Sequence, residues 1–414
     1  MSDSPALNAP PPGAAPDTAP APGAQREAGP LQLALLLAGS CLSVLGAVLI
    51  APVLPQMTQA FAGTPGVDVL VPVVLTAPAL LIGLTAPFAG VVVDRIDRKR
   101  LLLVAMLAYA VFGTAPLYLD SLGAILASRV LVGLCEGAIM TCCTTLIGDY
   151  WSGARRARYL GLQTLVATLS ATVFLALGGV LGAAGWRTPF WLYAVAALLA
   201  VPMALAIWQP ARPATASGTR TPLPWRQLLV PCVVTLFGGI VFYALIVELS
   251  FVLAGVGITA TGTIGAISAV MSLATAAGAV VFGRLSGRTP RALLPIEFGL
   301  SAVGLLLVFA TTSPVVITVG AVLTGLGTGM LLPTLLTWAV NRLNFDQRGR
   351  GTGLWTGALF LGEFLCPLIL AAVGAGVGGL QAALAVLGLA SGVVGVLAAL
   401  LLRRHDQPLD LTRD

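Results

Sequence analysis

Residues 90–100 read Gly90-Val91-Val92-Val93-Asp94-Arg95-Ile96-Asp97-Arg98-Lys99-Arg100, with four basic side chains packed into one short stretch between two long apolar runs. The pattern repeats along the chain. Basic stretches follow at Arg155, Arg156 and Arg158; at Arg212, Arg220 and Arg226; at Arg284, Arg288 and Arg291; and at Arg342, Arg348 and Arg350. Arg26 stands near the start, and Arg403, Arg404 and Arg413 near the end. Cytoplasmic loops of membrane proteins carry excess Lys and Arg, so these connections and both termini are expected on the cytoplasmic side. Of the 22 Lys and Arg residues only Arg129 and Arg187 fall elsewhere, and Arg129 is expected within the membrane.

Composition agrees. The chain is 57% hydrophobic and 9% charged, with a mean hydropathy of +0.97, against roughly a quarter charged residues in soluble domains. Its net charge of +6 is explained by the loops, so no nucleic-acid partner is expected. The cysteines at 41, 135, 142, 143, 232 and 366 lie in apolar segments without metal-site spacing. They read as small core residues, and neither a metal nor a disulfide framework is expected.

A spanning helix needs about 20 mostly apolar residues, and twelve such stretches fit between 31 and 402. The implied fold is an all-α membrane protein in which two pseudo-symmetric six-helix bundles, 31–208 and 226–402, surround a central cavity. Residues 1–30, rich in Pro, Ala and Gly, are expected to form a disordered cytoplasmic N-terminus, and they lack the pattern of a cleaved signal peptide. Residues 209–225 are expected to form a cytoplasmic linker and 403–414 a cytoplasmic tail.

The halves are related by sequence. Gly133-Leu134-Cys135-Glu136-Gly137 recurs as Gly325-Leu326-Gly327-Thr328-Gly329, and the stretch from Arg156 to Leu162 recurs from Arg348 to Leu354, at one common offset. A single pair of spaced glycines says little, because small residues are common wherever transmembrane helices pack closely. Two matches at one offset indicate a parallel six-helix repeat, an arrangement on which a large class of alternating-access transporters is built.

On these grounds the chain resembles the major facilitator superfamily. Residues 90–100 are similar to its G-x-x-x-D-R-x-G-R-K/R signature after the second helix, and Gly283-Arg284-Leu285-Ser286-Gly287-Arg288 is similar to a degenerate second copy. Asp97 stands where that signature has glycine, so a different turn is expected there. The resemblance implies a conformational latch of Gly90, Asp94, Arg95, Arg98 and Asp149, in which Asp94 docks on the eleventh helix and is tied to Arg98 and Asp149. A facing helix N-terminus, whose dipole favours negative charge, supplies a physical reason.

Ionisable groups near the bilayer centre are costly and usually face a cavity or a partner. Glu136 and Glu363 fall near mid-membrane, while Arg129 and Glu248 lie about 10 Å from the outer surface at the helical rise per residue. These four are the candidate proton-coupling and substrate-cavity residues. Arg129 and Glu136 are two turns apart on one face. Structural alternatives stand beside each role: Arg129 capping outer-side carbonyls, Glu248 pairing with Arg129, Glu363 protonated and bonded to a neighbouring backbone. Glu297 sits early enough in its span to reach the inner interface and is left out of the set. Phe242, Tyr243, Trp338 and Trp355 are the candidate cavity aromatics, able to stack on flat or cationic ligands.

Absent residues exclude other classes. The only histidine is His405 and the only lysine Lys99, so haem, zinc, Schiff-base and P-loop chemistry lack their ligand or base. No cofactor and no enzyme activity are expected. Three acids against one base favour a proton or cation as the buried partner, and a carboxyl held away from water favours its protonated form.

The expected protein is a monomeric secondary transporter of the bacterial inner membrane, with a small molecule, protons and the lipid bilayer as partners. Proton-coupled export of amphipathic or cationic compounds is preferred. The alternatives are proton-coupled uptake of an organic acid, with Arg129 as anion site, and a passive channel or transport-inactive receptor. Exporters of the family often carry G-x-x-x-G-P-x-x-G-G in the fifth helix, whereas this chain has Ser170, Phe174, Leu175, Gly178 and Gly179 at those positions. Single cysteines placed in 209–225 of a cysteine-free background should react with an impermeant maleimide only from the cytoplasmic side; labelling in intact cells would invert the topology.

Overall fold

The computed structural model describes residues 27–210, 222–285 and 287–402, with side chains described throughout except at 90–95 and 345–346. Among the described residues, twelve helices are long and apolar enough to cross a membrane. In chain order they are α1 (Pro30–Ala60), α2 (Val67–Arg95), α3 (Arg98–Thr114), α4 (Leu122–Tyr150), α5 (Gly153–Gly182) and α6 (Thr188–Ala206). The second set is α7 (Trp225–Gly255), α8 (Thr261–Leu285), α9 (Pro290–Phe309), α10 (Pro314–Val340), α11 (Phe345–Val377) and α12 (Leu380–Leu401). Lipid offers no hydrogen bonds, so each span closes its backbone on itself.

Local signals set the ends. Proline opens α1, α9 and α10, where its missing N–H costs nothing and its fixed φ suits the first turn. Gly378, at a φ of 97°, ends α11 in the left-handed conformation that glycine adopts freely. Asp97 makes a turn that glycine could not: in extended conformation its side chain N-caps α3, accepting from the Arg100 N–H at 2.9 Å. α1 is broken. Its first segment ends at Val48, a 3-10 turn spans Ala51–Val53, and a short helix, Leu54–Ala60, completes the span. Pro52 and Pro55 lie at the break and cannot donate to the preceding turn.

The two bundles use matching contacts. In the first, α4 packs against α1, α2 and α3, α5 against α1, and α6 against α3; in the second, α10 packs against α7, α8 and α9, α11 against α7, and α12 against α9. The repeated glycines explain the match. Gly133 of α4 lies against the Pro78 backbone of α2, and Gly325 of α10 lies against Met271 of α8, where a Cβ would come within 2.6 Å of the carbonyl oxygen. With no hydrophobic drive between helices in lipid, such close approach supplies the attraction.

Between the bundles, α2 packs on α11 and α5 on α8. These two pairs, equivalent by the repeat, meet at opposite ends. The α2–α11 contact lies toward the basic loops, through Gly83 with Gly357 and Leu361, and through Ala86 and Pro87 with Gly353. The α5–α8 contact lies toward the other end, through Gly179 with Gly265 and Gly182 with Thr261, and extends inward to a 3.1 Å hydrogen bond between Thr172 and Ser272. A Cβ on Gly353 would sit 2.8 Å from the Ala86 oxygen, whereas one on its counterpart Gly161 would meet nothing within 4 Å. Gly353→Leu should therefore lower the apparent melting temperature of the purified protein by several degrees, through overpacking of about 1–3 kcal/mol, while Gly161→Leu leaves it within about a degree. Equal effects at both positions would contradict this interface.

Candidate functional site

Side chains from three other helices donate to carbonyls of α1, two of which, Gly46 and Ala47, lie at its break. Arg129 of α4 donates from Nη2 to the Gly46 oxygen at 2.9 Å and from Nε to the Val74 oxygen at 3.4 Å. Val74 lies four residues before Pro78, so the helix itself provides no donor for that carbonyl. Tyr109 of α3 donates to the Leu42 oxygen at 2.6 Å, and Tyr243 of α7 donates to the Ala47 oxygen from the other bundle. The Arg129 guanidinium also lies 5.0 Å from the centre of the Tyr193 ring of α6, a cation–π contact between two fully buried side chains. Arg129 is thus the carbonyl cap that its depth allowed, and both of its hydrogen bonds go to backbone rather than to Glu136 or Glu248.

Glu136 lies at the middle of α4 and is 1% exposed. Its carboxyl is pressed against Gly46 so closely that even a methyl group there would collide, and its Oε1 is buried without a hydrogen-bond partner. Glu363 lies near the middle of α11, 4% exposed, where Gly239 and Gly362 let α7 and α11 come into backbone contact. Glu136 and Glu363 lie within electrostatic reach of each other and of Tyr243, and Arg129 lies within reach of Glu136. Each bundle thus contributes one buried acid, and among the described residues Arg129 is the only buried base.

Glu248 stands apart from this cluster. It lines a cavity at the end opposite the basic loops and makes no ion pair with Arg129. Tyr243, Trp338 and Trp355 are buried, while Phe242 is half-buried. The indole nitrogens of Trp338 and Trp355 have no hydrogen-bond partner, and Arg342 lies 5.9 Å from the Trp338 ring.

The latch is described in part. Arg98 at the start of α3 forms an ion pair with Asp149 at the end of α4, and its backbone N–H donates to Gln209 at 2.8 Å. The side chains of Asp94 and Arg95, and the surroundings of Gly90, lie outside the described residues.

Glu297 requires a correction. Rather than reaching the basic end, its side chain is fully buried between α9 and α10, with Oε1 at 2.5 Å from the Thr334 hydroxyl and Oε2 unpartnered. Counting residues from the helix start gave its depth but not its direction, which is inward. Tyr109 and Tyr193 were also missed; the available signal was a phenol where Phe would pack equally well, since a buried Tyr hydroxyl usually needs a partner.

Comparison with known proteins agrees with the fold. A model described as Major Facilitator Superfamily matches residues 36–261 and 232–413, so the chain belongs to that superfamily, whose members are multi-pass membrane transporters and not enzymes. Quinolone resistance protein NorA of Staphylococcus aureus is 24% identical over 212 residues, 50% of this chain and 54% of that protein. Tetracycline resistance protein, class C, of Escherichia coli is 29% identical over 198 residues, 47% and 48% of the two chains. The chain spans about half the length of these curated relatives. The crystal structure of the human organic anion transporter MFSD10 (TETRAN) superimposes with a TM-score of 0.67 at 19% identity, covering 90% of this chain and 100% of that one, a likeness of fold alone.

Arg129→Met keeps bulk but leaves the Gly46 and Val74 carbonyls without their donor. It should lower the apparent melting temperature by roughly 5 °C or more, because hydrogen bonds to a charged donor contribute about 1.5–3 kcal/mol each. An unchanged melting temperature would show that the cap contributes nothing.

Proposed function

We propose that this protein exports small amphipathic or cationic compounds from a bacterial cell in exchange for protons, by alternating access of the bundles 31–208 and 226–402 in the inner membrane, with both termini cytoplasmic. The observation behind this reading is the Glu136 and Glu363 pair. Two carboxyls, one from each bundle, are buried at mid-span, and one buried arginine, whose hydrogen bonds go to backbone, acts on Glu136 through its charge. One guanidinium offsets at most one ionised acid, so in a medium of low polarity the second acid holds a proton unless a further cation is present. Proton and cationic cargo then compete for the same charge, which is the requirement for exchange. The matches to NorA and to the tetracycline resistance protein support export, as a likeness to parts of those chains.

The Arg98–Asp149 ion pair at the basic end supports the latch as the element that biases one conformer over the other. A second reading, proton-coupled uptake of an organic acid at Arg129, rests on the Nη1 atom of that residue, which is buried without a partner. The Tyr193 ring and the carbonyls of Gly46 and Val74 already occupy the rest of the guanidinium. A passive channel would need no coupled acid at all.

Glu136→Gln keeps shape but cannot exchange a proton. In proteoliposomes it should reduce uptake driven by a pH gradient to background while still permitting cargo exchange without net proton movement, and Glu363→Gln should do the same. Wild-type accumulation in the double variant, or flux indifferent to the sign of the pH gradient in the native protein, would remove the proposal.

A further inference from the structure

A cavity of about 670 Å³ opens at the end of the molecule opposite the basic loops, where the outer turns of α1, α2, α7 and α11 draw apart. It arises from the interface described above: α2 and α11 are in contact toward the basic end, and their other ends stand clear of each other. Its volume is within the range of about 300–1,000 Å³ typical of sites for drug-sized molecules.

The lining has one sign of charge. Glu248 and Asp68 contribute to it, and no basic side chain does. Glu248 is 5% exposed and has no hydrogen bond or ion pair with any described residue, so its carboxyl is turned to the cavity without a protein partner. Arg187, the base at this end, is bonded to the Pro116 and Leu119 carbonyls and to Asp120 at 2.8 Å. An isolated buried carboxylate is costly, so this carboxyl either holds a proton or exchanges it for a counter-charge.

The remaining wall decides which counter-charge fits. Most of it is apolar, including Phe251, Leu370 and three prolines. Hard metal cations take six or more oxygen ligands, which this wall does not offer. We propose that the cavity is a binding site, separate from the central acid pair, for a monovalent organic cation with a bulky apolar or aromatic body. Glu248 supplies the counter-charge, Phe251 a face for the body, and Asp68 an attracting charge at the mouth. The binding claim stands without the export reading; only the further role of this site as a release station rests on it.

Tetraphenylphosphonium and tetraphenylborate have nearly the same size and shape and opposite charge, which makes them a matched pair of probes. Equilibrium dialysis of the purified full-length Glu136→Gln/Glu363→Gln variant should show tetraphenylphosphonium bound and tetraphenylborate not. Adding Glu248→Gln should weaken the cation by about tenfold or more, the scale of losing a desolvated counter-charge. Phe251→Ala should weaken it by about threefold, and Asp68→Asn, at an exposed position, less than Glu248→Gln. Thermal unfolding of each variant establishes that the fold is intact. Unchanged binding after Glu248→Gln, equal binding of the two probes, or loss of binding already in the central double variant would overturn the site. Loss of proton-driven flux in the central variant with cation binding retained keeps the vestibule and the central pair distinct, and proton-driven flux surviving there would sink the central reading alone.

Discussion

A backbone carbonyl in the middle of a bilayer has no water to turn to, and the break in α1 exposes those of Gly46 and Ala47. The structure meets this need with side chains from elsewhere, Arg129 on Gly46 and Tyr243 on Ala47, while Tyr109 adds a bond to Leu42 within the first segment of the helix. Much of the remaining organisation follows from that constraint. The guanidinium must lie deep in the first bundle, Tyr193 must cover it, and α4 must approach α2 closely enough for Nε to reach Val74, which the glycine at 133 permits. The guanidinium keeps its charge while it donates to these carbonyls, and that charge acts on Glu136 in the same bundle, whereas among the described residues no base acts on Glu363. The chemistry available to Glu136 and Glu363 is set by what Arg129 is already doing.

The same small residues that hold each bundle together form the seam between bundles. Glycine faces let α2 meet α11 and α5 meet α8 by backbone contact, without long side chains that would interlock. Such a seam is held by many weak contacts over a short range, so it favours one arrangement without fixing it. Charge, by contrast, is concentrated at the ends, in the Arg98–Asp149 pair at one and the Arg187–Asp120 pair at the other.

The architecture was legible in the sequence because the bilayer imposes its period on the whole chain. The basic connections, the span lengths and the repeat joining Gly133 to Gly325 all appear in the helices and their contacts. The buried groups were legible in depth only. Helical rise put Glu136 and Glu363 near mid-span, but whether Arg129 faced a ligand or a carbonyl depended on Pro78, far away in sequence and adjacent in space. Glu297 shows the same limit from the other side: its position near a helix start concealed a side chain turned toward Thr334. Angular placement about a helix that is apolar on every side comes from its neighbours, and a single sequence does not specify them.

The bond from Tyr243 to Ala47 differs from the other two on α1 because its donor belongs to the opposite bundle. In the alternating access proposed above, separation of the bundles breaks it, while Arg129 and Tyr109 stay with the helix they serve. In water such a loss is nearly offset by new bonds to solvent, but in an apolar interior a hydrogen bond is worth several kcal/mol, about 4–6 for an amide–carbonyl pair, and this hydroxyl–carbonyl bond is of that order. The barrier to movement therefore depends on what is present to receive the freed hydroxyl and carbonyl. A molecule between the bundles that offers an acceptor to one and a donor to the other lowers that barrier, so cargo can set the rate of its own passage as well as its affinity.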